Sequence, residues 1–366
     1  ASLRELSAKH KVILNITSKM LTTMQRAFSG NWCWRGMLLL GALILSCKVH
    51  AQSAAQLVDE GDAWLARGSY REAEKTYREA LALDQRYLPA YLGLTRLAMV
   101  RENWREASDW AGKALQIDSN SLAARYFLAI SERERAQYQT PFQATHRREA
   151  RRHFEWILER DSLYRDVLYQ YALLYRQDSN YARAIALAEA QLRLRPDLDE
   201  PAIGLFRIYH SFLNHTNLDE ASRWLATHPT DYARFFAAEV LRRKGQLREA
   251  DAAFAALVHP GFAWPPQAIY LARARIWTAL NRPDSVQALI DRAIGSIDRP
   301  LGAHFVFEDC KYIFTAQELE TYRRLQTPAE YQAFFRAFWE RRDPMPGRSI
   351  NLRLIEHYHR LLVAER

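Results

Sequence analysis

Histidine, cysteine and carboxylate side chains carry most protein chemistry, and their spacing in this chain points away from catalysis. His357 and His359 stand two apart in a stretch of helical periodicity, so their rings leave the helix in different directions and make poor joint metal ligands. His210 and His215, five apart, do little better. The cysteines are Cys33, Cys47 and Cys310, and the first two border or close an early apolar run. No Cys-x-x-Cys pair or zinc set can be built from them, and Cys310 is expected to act as a small buried apolar residue. A phosphate-cradling glycine loop, an HExxH pair and a nucleophile elbow are all absent from the sequence. Aspartate and glutamate pairs abound, but at this periodicity they belong to solvated helix faces. Asn15-Ile-Thr17 and Asn214-His-Thr216 match the glycosylation tripeptide, a weak pattern. The chain therefore reads as non-enzymatic, with no metal and no cofactor expected.

At 366 residues the chain exceeds one ordinary core, and 49% hydrophobic with 12% aromatic residues supplies ample packing material. A formal charge of +9 would suggest a nucleic-acid partner if it were spread along the chain. Six of those nine charges fall within residues 1–51, so the remainder is nearly balanced and no nucleic-acid surface is implied. That early segment has the layout of a secretory signal: Arg26 and Arg35, then the apolar run Met37 to Cys47, then Val49, His50 and Ala51. The run is too short to span a bilayer, which takes ~20 residues. Cleavage is expected after Ala51, which places the body in the periplasm or cell envelope. An alternative reads Ile44-Leu45-Ser46-Cys47 as a lipoprotein box with Cys47 lipidated, so that a membrane is met only through that anchor. Leu45 is bulky where such boxes take small residues.

Residues 57–84 read as two short amphipathic helices folded back on each other. Small Gly61 and Ala73 let the helix backbones approach, Trp64, Tyr70 and Tyr77 fill the space around them, and Gly68 permits the reversal. With Ala80 and Asp84 these residues hold the signature places of the tetratricopeptide repeat, which this stretch resembles. Helices shorter than ~12–15 residues are marginal alone, so copies are expected alongside. Ala107 lies 34 residues after Ala73, with Trp104, Ala111, Ala114, Leu115 and Asp118 at matching offsets. Ala150 follows after 43, and the surplus near residues 136–148, where Thr140-Pro141 breaks the pattern, predicts an enlarged inter-helix loop. Ala184 restores the 34-residue step, Ala221 and Ala250 follow more loosely, and residues 268–294 form a last, degenerate pair around Asn281-Arg-Pro-Asp284. The resemblance implies an all-α fold, a tetratricopeptide-type α-solenoid of about seven antiparallel helix pairs across residues 52–297, behind an upstream segment and signal peptide at 1–51.

The same resemblance implies where a ligand sits, because in that family the first helix of each pair lines a concave groove. With the register set by Gly61, and Thr95, Ala129, Ala172 and Ala238 in its place later, the implied groove residues are Asp62, Leu92, Arg96, Met99, Tyr126, Arg133, Tyr169, Arg176, Phe235, Glu239 and Arg242. Arginine grips carboxylates bidentately and an aromatic ring offers stiff contact area, so the expected partner is a protein or peptide carrying acidic groups. Merely solvated arginines are the alternative. The Lys/Asn pattern by which some members clamp a terminal carboxylate is missing from these positions.

Across Ile297 to Gly302 the repeat pattern stops. Residues 303–366, and above all Phe338-Trp339-Glu340-Arg341-Arg342-Asp343-Pro344, resemble the start of the GWxTD domain of bacterial exported proteins. Arg348-Ser349 stands where that family has threonine, and the Gly-Trp-x-Thr-Asp segment is absent, so the resemblance implies a small, partial helical C-terminal domain continuing past Arg366. Phe334, Phe335, Phe338 and Trp339 are predicted to form one apolar helix face, Asp343-Pro344 to end that helix, and Ser349 to cap the next. Together these features imply an exported, non-catalytic interaction scaffold. The alternative is a repeat-bearing enzyme whose active site lies in the continuation of the last domain.

Overall fold

A computed structural model describes residues 53–138 and 141–365, and every regular element among them is helical. The predicted signal segment, its cleavage point and Cys47 lie outside the described residues. Helices follow in pairs: α1 (Ala54–Ala66) and α2 (Tyr70–Leu83), α3 (Leu88–Val100) and α4 (Trp104–Ile117), α5 (Leu122–Tyr138) and α6 (Gln143–Leu158), α7 (Val167–Gln177) and α8 (Tyr181–Leu194). Then come α9 (Asp199–His215) and α10 (Leu218–Ala226), α11 (Asp231–Arg243) and α12 (Leu247–Ala256), α13 (Pro266–Ala279) and α14 (Pro283–Gly295). Four more helices close the series, α15 (Pro300–Cys310), α16 (Ala316–Arg324), α17 (Pro328–Glu340) and α18 (Leu352–Ala364), with a 3-10 turn at Lys311–Ile313 after α15. The fold is an all-α solenoid of antiparallel helix pairs. No described helix is long and apolar enough to cross a membrane.

The period seen in the sequence has a packing cause. Ala73, Ala107, Ala150, Ala184, Ala221 and Ala250 fall one per second helix, from α2 to α12, and all are fully buried. Each marks a point where a larger side chain would hold two helices apart. The reversals repeat as well: Gly68, Glu102, Ser179, Gly245 and Asn281 all take positive φ between the two helices of their pair. Glycine adopts that left-handed conformation freely, whereas Glu102, Ser179 and Asn281 hold it against a steric cost.

Two compact units divide the chain, one through Leu97 and one from Ala98 onward. In the first, the Tyr77 ring lies against Gly61 and Gly93, where an added Cβ would come within 2.6 and 2.4 Å of it. Gly61 is thus small for the sake of that ring. Tyr70, expected to fill the same space, is 38% exposed.

In the second unit the surplus residues after Ala107 do not make an enlarged loop. They lengthen α5 and α6 to 17 and 16 residues and leave only 139–142 between them. The extension is held by buried Glu132, which accepts from Ser108 Oγ at 2.5 Å and Arg135 Nη1 at 2.9 Å and meets His146 Nδ1 at 2.5 Å. A helix continues wherever its polar groups find partners, and here the neighbouring helices supply them.

The C-terminal helices pack on the preceding pair. α15 lies against α9 and α13, α17 against α14 and α15, and α18 against α13 and α14. Phe335, Phe338 and Trp339 are buried, as the apolar face predicts, and Phe334 is half-buried beside them. Arg342 lies 3.8 Å from the centre of the Phe338 ring and bonds both carboxylate oxygens of Glu318 at 2.8 and 2.7 Å. Its pairing outweighs burial and holds the Glu318 carboxyl at about 2. Asn351, not Ser349, caps α18: its Oδ1 accepts from the Arg353 and Leu354 amides while its Nδ2 donates to the Trp339 carbonyl at 2.7 Å. Asn351 wins because it is buried against α17 and so bonds both helices at once. Cys310 is buried, which pushes its thiol well above the ordinary range.

Candidate recognition pocket

The predicted groove residues have three different fates. In the first unit Asp62 and Arg96 pair with each other, Arg96 Nη2 lying 2.6 Å from Asp62 Oδ1, and Tyr77 donates to the same oxygen at 2.5 Å. Leu92 and, in the second unit, Met99 are half-buried. A middle group is walled in. Tyr126 is 6% exposed and donates to Asp166, and Tyr169 is 6% exposed with its ring over Gly204, where a Cβ would approach to 2.1 Å. Arg133 is only 4% exposed. Its Nη1 donates to the carbonyl and side-chain oxygens of Gln170 at 3.0 and 2.6 Å, and its Nε and Nη2 to Glu134 at 2.9 and 2.5 Å. Arg133 and Tyr169 belong to the interior, a correction to their predicted placement on an open groove, whereas Tyr126, though mostly buried, borders a separate cavity with Arg165, Asp166 and Gln170. Arg176 is half-buried on α7.

Phe235, Glu239 and Arg242 have the third fate and line a pocket of about 430 Å³. Alternate helices build it. α9 contributes Ile203, Phe206, Arg207, His210, Ser211 and Asn214, spaced to fall on one helix face, and α11 contributes Phe235, Glu239 and Arg242. α13 adds Ala268, Leu271, Ala272 and Arg275, α15 adds His304, Phe305, Glu308 and Asp309, and Glu365 closes one side from the end of α18. Phe206 is the centre of its aromatic wall, 4.9 Å from Phe305, 5.7 Å from Phe235 and 4.6 Å from His210, ring centre to ring centre.

Opposite that wall the polar groups form a chain of ion pairs. Arg242 binds both oxygens of buried Glu239 at 2.8 Å and turns Nη1 to Glu365 Oε2 at 2.9 Å. Arg275 binds Asp309 Oδ1 at 2.6 Å and turns Nε to Glu365 Oε1 at 2.8 Å. Burial alone would raise the Glu239 carboxyl, but Arg242 foremost, with His210 and Arg243, holds it at about 2. Burial likewise opposes the charge on Arg275, and Asp309 and Glu365 more than offset it, so its pKa is raised. His210 is pushed down to about 4, first by burial and then by Arg243, Arg275 and Arg242, against the pull of Glu239. It is neutral at pH 7, its Nδ1 facing Arg243 Nη2 at 3.2 Å. No group of three potential metal ligands occurs among the described residues.

The pocket thus joins stiff aromatic surface, guanidinium groups held by carboxylates, and a neutral imidazole. Arg275 was missed in the sequence, yet the signal was there. It stands four residues after Leu271, with Ala268 and Ala272 flanking, the offsets that Phe235, Glu239 and Arg242 hold around Ala238. Glu365 carried no such signal, since periodicity says nothing about which distant segment returns to a groove.

No protein-family model matches the sequence, and no curated protein does. Among solved structures, PilF of Pseudomonas aeruginosa shares 16% identity over 78% of this chain and 97% of its own, with a TM-score of 0.40. A tetratricopeptide repeat protein of Parabacteroides merdae shares 14% over 78% and 99%, TM-score 0.38, and a thermophilic one of Thermus thermophilus shares 16% over 63% and 100%, TM-score 0.37. The likeness is one of helical-repeat fold, and the fold assignment here rests on the helix pairs themselves.

Proposed function

We propose that this protein is an exported, non-catalytic scaffold that holds a partner protein or peptide, carrying acidic groups, against the first helices of its repeat array. One observation carries the reading: α9, α11, α13 and α15 each turn one side-chain row into a single pocket that joins aromatic surface to ordered arginines. Arg26, Arg35 and the apolar run ending at Cys47 support export, and Cys47 supports a lipid anchor as a variant of it. The Phe338–Pro344 run supports a GWxTD-like last domain, with Phe338, Trp339 and Arg342 acting as its packing residues.

A photo-crosslinking amino acid placed at Arg207, on the pocket side of α9, should trap a discrete protein in the cell envelope. The same reagent at exposed Arg248 on α12 should not. Capture from Arg248 alone, or from neither site, contradicts the reading.

A further inference from the structure

Arg242 and Arg275 divide their donors in the same way. Each has one side fixed by a carboxylate beneath it, Glu239 or Asp309, whose side chains are 6% and 7% exposed. Each turns a remaining N–H to one shared carboxylate, Glu365, whose side chain is 34% exposed. The inner pairs fix the two guanidinium groups in place, so removing Glu365 leaves two aimed donors and no need to reorganise. Glu365 is also a partition. It lines the 430 Å³ pocket and, with Arg242, Arg275 and His210, an adjoining cavity of about 730 Å³.

We infer that Arg242 and Arg275 form a carboxylate-binding subsite of the partner groove, and that Glu365 fills it as an internal stand-in until an acidic peptide segment of the partner displaces it. The occupant is a peptide with a glutamate or aspartate next to a large aromatic side chain. Its carboxylate takes the place of Glu365 and its ring packs on Phe206, Phe235 and Phe305. Charge complementarity sets the choice: two anchored arginines face one exchangeable anion beside an apolar wall. Glu365 is the C-cap residue of α18 and its side chain is 34% exposed, so an incoming anion can reach the two arginines beside it. The inference rests on the proposed scaffold function and adds the chemistry of its ligand and a built-in competitor.

The test uses the full chain and a fluorescein-labelled peptide with one tryptophan flanked by glutamates, with a glutamine-for-glutamate counterpart as control. Glu365→Gln should bind the acidic peptide about tenfold more tightly than the unaltered chain, because the subsite is no longer self-occupied. Arg242→Gln in the Glu365→Gln background should lose that gain, and the glutamine peptide should bind all forms weakly. Glu365 is on the surface, so its variant retains the fold; an unchanged melting temperature verifies this. Equal affinity with and without Glu365, or no preference for the acidic peptide, overturns the subsite. Crosslinking from Arg207 decides the scaffold reading separately, so the two can fail independently.

Discussion

Arg133 on α5 and Arg242 on α11 occupy the same place in the repeat, four residues after the small residue of the first helix, yet one is sealed and the other works at a pocket. Around Arg133 the neighbouring helix turns in Gln170, and Glu134 closes the other side, so every face of the guanidinium is occupied by the interior. Around Arg242, buried Glu239 fixes one side and the other is left to the more exposed carboxylate of Glu365. Repeat register decides which way a side chain points. What the next helix offers decides whether it is available to a ligand.

Changing the two arginines should break the comparison most sharply. Arg133→Glu buries a second carboxylate beside Glu134 and is expected to cost about 3–5 kcal/mol in denaturant unfolding. Arg242→Gln should cost far less, since Arg243 still bonds Glu239, while weakening peptide binding. Comparable stability losses would show that both arginines are structural.

Acid should act next, in part through the pocket. His210 titrates at about 4 in the folded chain against 6.5 when unfolded, so the unfolded state binds more protons between those values. Its contribution is present above pH 6.5 and is lost as pH falls to about 4, roughly 3 kcal/mol at most. Glu239, depressed from 4.5 to about 2, extends the loss below pH 4.5. His210→Gln should flatten the unfolding free energy between pH 6.5 and 4.5; an unchanged slope assigns the loss to another group such as His153, also lowered to about 4 by burial.

Asn351→Ala removes the cap of α18 and its bond to Trp339, for about 1–2 kcal/mol in thermal unfolding, and should loosen Glu365 over the pocket. The smallest effect lies in the sealed region. Ser179→Gly relieves a left-handed residue in the α7–α8 turn and should gain about 0.5–1 kcal/mol, without altering peptide binding.

The helix pairs were legible because Ala73, Ala107, Ala150, Ala184, Ala221 and Ala250 recur where two helices must touch, and contact at a fixed period leaves a mark on composition. Only the α11 part of the pocket was legible for the same reason: Phe235, Glu239 and Arg242 follow from the register that the repeat resemblance implies, while α9, α13, α15 and Glu365 supply the rest. The enlarged loop predicted near residues 136–148 was not what formed, because Glu132 of α5 finds partners on both neighbouring helices, Ser108 on α4 and His146 on α6, and no local pattern announces that meeting. Glu365 reaches Arg275 across 90 residues, and no local pattern encodes such a return.

Amide hydrogen exchange of the full chain, with and without the acidic tryptophan peptide, tests the central claim most directly. Slower exchange along α9, α11, α13 and α15, with faster exchange in the final turn of α18, is the predicted result. Slowing confined to α10, α12 and α14 would place the ligand on the opposite face and contradict the account.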